Sequence, residues 1–144
     1  MKLNNVRDIA SLILIFGHIL AIALVFFVLH DFFSAAADKM EIALILSPLT
    51  GLFAIAALKS IFNNAEVNAK PKIVSVAFAS VSIGIPLCFI AMIITTIAMY
   101  PFGIASDPQS LKITLSCIEV GLGGLLGLLS EKLFDVNVKT LAAE

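Results

Sequence analysis

The chain has 144 residues, of which 60% are hydrophobic and 13% charged, with a formal net charge of −1. Soluble domains hold about 45–50% apolar and about 25% charged residues, so water is not the main solvent of this protein. One domain fits the length, and the absence of a basic excess excludes a nucleic-acid partner. The expected partner is the lipid bilayer.

Four apolar runs follow in chain order: Ile9 to Leu29, Ile42 to Phe62, Ile73 to Met99 and Leu111 to Ser130. Each reaches the roughly 20 residues that a helix rising about 1.5 Å per residue needs to cross the hydrocarbon. They are too long for barrel strands, and lipid offers no partner to an exposed backbone group, so the spacing predicts an all-α membrane protein with four transmembrane helices and short loops. Lys2 and Arg7 ahead of the first run, with Ala35-Ala36-Ala37 behind it, also fit a signal peptide. The run is longer than the about 7–15 apolar residues of an h-region, so a retained helix is expected.

The connections His30 to Glu41, Asn63 to Lys72 and Tyr100 to Ser110 carry the breakers Pro71, Pro101 and Pro108 together with Asp31, Asp38, Asn63 and Asn64. Lys2, Arg7, Lys59, Lys70, Lys72, Lys132 and Lys139 fall on one side of such a bundle, against Lys39 and Lys112 on the other. The positive-inside rule then expects both termini in the cytoplasm, as in a bacterial inner-membrane protein. The second run exits through Lys59-Ser60-Ile61-Phe62-Asn63 and Val67-Asn68-Ala69-Lys70, and the fourth through Glu131-Lys132-Leu133-Phe134-Asp135 and Val136-Asn137-Val138-Lys139. That likeness is a hint of duplicated hairpins.

The informative residues are the costly ones. Glu119 stands halfway along the last run, where an ionisable group costs on the order of 3 kcal/mol on insertion scales. Taking the middle of each run as the bilayer centre places His18, Gly51, Pro86 and Glu119 in one layer, with the hydroxyls of Thr50 and Ser82 nearby. His18 can donate to, accept from or exchange a proton with Glu119. Pro86 removes a helical donor and frees the carbonyl of Ser82. Ser116, Glu119, Gly123, Gly127 and Ser130 recur at spacings of three and four and form a small-residue stripe suited to close helix packing, with a homo-oligomer expected through Gly123 and Gly127.

The stretch Ile118-Glu119-Val120-Gly121-Leu122-Gly123-Gly124-Leu125-Leu126 resembles the carboxylate helix of the four-helix proteolipids of rotary proton-pumping ATPases. That resemblance implies a proton-binding role for Glu119. It is confined to this helix, because the glycine ladders that those proteins carry on the first and third helices are absent and His18 has no counterpart in their pattern.

Two function classes remain open on these residues. In one, Glu119 and His18, with Ser82 and Thr50, form the ion or proton site of an oligomeric channel or transporter. In the other, the pair only joins helices, and the chain is an accessory, immunity or exclusion protein that binds another membrane protein through its small-residue faces. An enzyme is not expected, since no metal-ligand spacing, nucleophile elbow or cysteine pair is present. No cofactor or metal is expected either. Haem would find one central histidine, His18, with His30 at the far end of the same helix, and Cys88 and Cys117 have no redox spacing.

Overall fold

The computed structural model describes residues 1–33, 35–66, 73–103, 105 and 107–133, with the side chains at 50, 53, 54, 56–66 and 128–133 outside that description. It is all-helical: α1 (Leu3–Val28), α2 (Ala36–Glu66), α3 (Val76–Met99) and α4 (Pro108–Leu133), with a 3-10 turn at Tyr100–Phe102. Among the described residues three helical segments are long and apolar enough to cross a membrane, Leu3–Val28, Val76–Phe102 and Pro108–Gly127. The surface agrees with a lipid solvent. Phe16, Phe27, Leu44, Ile55, Val76 and Val120 are all well exposed, an apolar coat that an aqueous protein would not carry. Cys88 and Cys117 are free thiols on that outer surface. This is a membrane protein.

Local chemistry sets the helix ends. Asp107 caps α4, its carboxylate accepting from the Ser110 amide at 2.8 Å and from the Ser110 hydroxyl at 2.9 Å, and Pro108 follows at the first helical position, where no donor is needed. Ser75 caps α3 by accepting from the Phe78 amide at 3.2 Å. Ile73 to Ser75 are non-helical, so α3 starts three residues later than the apolar run does. Gly103, at φ 85°, closes the 3-10 turn by donating to the Tyr100 carbonyl. Inside α2, Pro48 has no N–H for the Leu44 carbonyl, and the Ser47 hydroxyl donates to that carbonyl at 3.3 Å instead.

The helices pack in the cyclic order α1, α2, α4, α3. The neighbours are α1 with α2, α2 with α4, α4 with α3, and α3 with α1, while α1 faces α4 and α2 faces α3 across the diagonals. Two hairpins, α1–α2 and α3–α4, thus lie side by side and the same way up. At one end the Met1 carbonyl accepts from the Val74 amide at 3.0 Å, tying the chain start to the start of α3. At the other, Lys112 on α4 donates to Asp38 at 2.7 Å and to Glu41 at 2.5 Å on α2, and Tyr100 stacks on Phe33 with centroids 5.4 Å apart. The Asn68-to-Lys70 and Phe134-to-Lys139 segments that carry the repeated exits lie outside the described residues.

The interior has two apolar clusters. One, towards the Lys112 end, contains Val25, Leu29, Phe33, Ile42, Leu46, Ile93, Ile97, Leu111 and Leu115. The other, towards the chain start, contains Val6, Leu14, Ala79, Leu122 and Leu126. Among the described residues four polar side chains are buried in this interior: Ser11, His18, Ser82 and Glu119.

Candidate functional site

His18 and Glu119 meet on the bundle axis. They lie on the diagonal helices α1 and α4, where the faces Leu14–His18–Ala21–Val25 and Leu115–Ile118–Leu122 point inward. The His18 Nε2 to Glu119 Oε1 distance is 3.1 Å, with His18 fully buried and Glu119 5% exposed. His18 Nδ1 donates to the Leu14 carbonyl at 2.8 Å. A carbonyl only accepts, so that bond fixes a proton on Nδ1 and leaves Nε2 and Oε1 to share another. Either neutral His18 accepts from a protonated Glu119, or an imidazolium donates to a carboxylate. In both forms one hydrogen bond joins Nε2 to Oε1.

Glu119 Oε2 is buried and has no hydrogen-bond partner. A buried carboxyl oxygen left in this condition is costly, by about 1–3 kcal/mol for an unsatisfied polar group, and is the open valence of the site. A second proton or a water molecule would find it there.

The helix registers place the other expected residues. A Cβ on Gly17 would lie 2.6 Å from the Ile90 side chain, and one on Gly121 would lie 3.3 Å from Phe89. These contacts put the His18–Glu119 layer level with Phe89 and Ile90 of α3, one turn beyond Pro86. The extended residues Ile73 to Ser75 delay the start of α3 and account for only part of that offset. Pro86 is buried one turn below the pair, and Ser82 is buried two turns below it, its hydroxyl without a partner. The Thr50 side chain lies outside the described residues.

The glycines divide differently from their sequence spacing. Gly123 packs against Leu49 of α2 within the same chain, at 3.4 Å from a Cβ placed on it. Leu49 therefore occupies the space over Gly123 within the one chain. A Cβ at Gly51 or Gly127 would meet nothing within 4 Å, and both positions are exposed. The tightest approach of the bundle is at Gly17, where α1 lies against α3 one residue before His18. Its place in the sequence, in a Phe-Gly-His step inside an apolar helix, was the available sign of a close backbone approach.

Among the described residues no group of three His, Cys, Asp or Glu side chains could hold a metal ion. The polar set is small and built around one shared proton. No family model matches this chain, and neither a curated protein nor a solved structure does.

Proposed function

We propose that this chain is a four-span inner-membrane protein that moves protons through the His18–Glu119 pair, working as a homo-oligomer with both termini cytoplasmic. The observation that carries the reading is the 3.1 Å contact between His18 Nε2 and Glu119 Oε1 beside an unpartnered, buried Oε2. The Nδ1 bond to Leu14 keeps the imidazole in one orientation while its other nitrogen changes state. A proton arriving at Oε2 gives imidazolium and carboxylic acid together; its departure restores the one-proton pair. The helix α2, 31 residues long, supplies the fourth span. The Lys and Arg distribution supports the orientation, and the hairpins' common direction supports termini on one side.

The test is proton flux in vesicles containing only this chain. Wild-type protein should carry a flux that Glu119→Gln abolishes, because the amide keeps a hydrogen bond to His18 but binds no proton. His18→Ala should change its pH dependence. A purified, folded wild-type chain with no flux overturns the reading.

A second reading is favoured by one feature, the apolar clusters that flank the pair at both ends of the bundle. Under it the pair joins α1 to α4, and the chain binds another membrane protein. Absence of flux together with a stoichiometric membrane partner would decide for it.

A further inference from the structure

Buried polar atoms in this bundle fall on one side of the pair. Towards the Lys112 end, the interior between Glu119 and the rim is Val25, Leu29, Ile42, Leu46, Ile93, Ile97, Leu111 and Leu115, with no buried polar side chain among the described residues. Towards the chain start there are two, Ser11 on α1 and Ser82 on α3, and beyond them the Arg7 Nε, which is buried without a partner.

These residues line up. Arg7 and Ser11 are four apart on α1, and Ser11 and His18 are seven apart, so all three share one face of that helix. Ser82 is eight residues before Ile90 and Ser11 six before Gly17, its contact, so the two serines lie within about 3 Å of the same depth at 1.5 Å rise per residue. A helical serine usually bonds the carbonyl four residues back; Ser82 makes no such bond, and its own carbonyl gets no N–H from Pro86. Buried groups of this kind are normally satisfied by protein or by ordered water.

We propose that water reaches the His18–Glu119 pair from the chain-start end alone, along a file formed by Arg7, Ser11 and Ser82. The inference rests on the proton-moving reading for its use, but not for its existence. The Arg7 charge at the mouth repels metal cations and leaves water as the species admitted. Glu119 Oε2 is the terminus at which a proton delivered through that water adds. The Lys112 half is a dry plug, so release to the opposite side requires a movement of α1 or α4, and the resting bundle does not leak.

Hydration is read with cysteine variants in a chain in which Cys88 and Cys117 are alanine. Ser11→Cys and Ser82→Cys, in vesicles, should react with a charged methanethiosulfonate reagent from the side on which Lys2→Cys reacts. Leu29→Cys and Leu115→Cys should react at least ~10-fold more slowly from either side, since a dry thiol whose pKa is raised by one unit holds a tenth of the thiolate. In the unmodified chain, water-edited solid-state NMR should transfer magnetisation to Ser11 and Ser82 and not to Leu46 or Leu115; this readout stands even where a variant misfolds. Dry serines by that measurement, labelling from the opposite side, or equal labelling of Leu115→Cys overturns the file. Neither readout needs transport. Wet serines without flux therefore count against the proton-moving function and for the file, and flux through dry serines counts the other way.

Discussion

Replacing Gly17 by alanine tests the packing that holds the pair in register. The new Cβ would lie 2.6 Å from Ile90 Cγ2 and 2.9 Å from both Cγ1 and Cδ1, against about 3.5–4.0 Å for carbon atoms at their optimum, so something yields by about 1 Å. Ile90 is nearly buried, and its γ carbons are fixed on a β-branched side chain that keeps one main χ1 in a helix. Overpacking of this kind costs about 1–3 kcal/mol, while alanine returns up to about 1 kcal/mol of helix propensity over glycine. The expected net loss is about 1 kcal/mol. With no tryptophan and one tyrosine in the chain, far-ultraviolet circular dichroism during reversible unfolding in mixed micelles is the suitable assay. Ile90→Ala removes all three contacted atoms, so Gly17→Ala added to that variant should be neutral or stabilising, a coupling of at least about 1 kcal/mol between adjacent sites. A Gly17→Ala protein as stable as wild type, with no coupling to Ile90, would refute the close approach. The variant also displaces the backbone beside His18, so under the proton-moving proposal flux should fall while the helix content stays the same.

Three other outcomes follow from single contacts. Ser47→Ala deprives the Leu44 carbonyl of its donor beside Pro48 and should cost about 1 kcal/mol or more in unfolding experiments, because lipid supplies no replacement, whereas Ser47→Thr should be tolerated. Asp107→Ala removes the α4 cap and should lower stability by about 0.5–2 kcal/mol, with Asp107→Asn recovering most of it in the same measurement. Lys112→Ala should cost little stability, and the wild-type advantage should shrink as salt is raised; an advantage unchanged in high salt would show that the Lys112 stem, not its charge, holds the rim.

Much of this was legible in the sequence for one physical reason, that charge and histidine are expensive in lipid. The same cost that sets Glu119 and His18 apart from their apolar runs also forces them together, and the 3.1 Å contact is its result. Helix lengths followed from apolar runs, although α1 begins at Leu3, well before Ile9, because the polar residues ahead of the run continue the helix. Depth was less legible. Counting from the middle of Ile73 to Met99 placed Pro86 level with the pair, whereas the Gly17 contact places that level at Ile90. Which helices oppose across a diagonal is a property of packing between distant faces, and no spacing within one helix encodes it. Gly123 shows the same limit: its stripe announces close packing, but nothing in the spacing says that Leu49 of α2 is what it meets within the chain. Ser47-Pro48 and Asp107-Pro108 did carry local signals, a hydroxyl beside a helix proline and an acid before one, and both resolve into the hydrogen bonds those dipeptides favour.

The contact between His18 and Glu119 joins residues 101 positions apart, the first helix to the last. During synthesis at about 5–20 residues per second, His18 therefore waits on the order of 5–20 s in the membrane before Glu119 is made. For that interval the nascent hairpin carries an unmatched polar group facing a gap that α4 has not yet filled, which is the kind of surface that membrane chaperones and proteases engage. Completion of the chain removes it. A chain stopped before α4 should therefore be short-lived in cells, and His18→Leu should lengthen the life of that fragment while leaving Glu119 of the full-length chain without its hydrogen-bond partner.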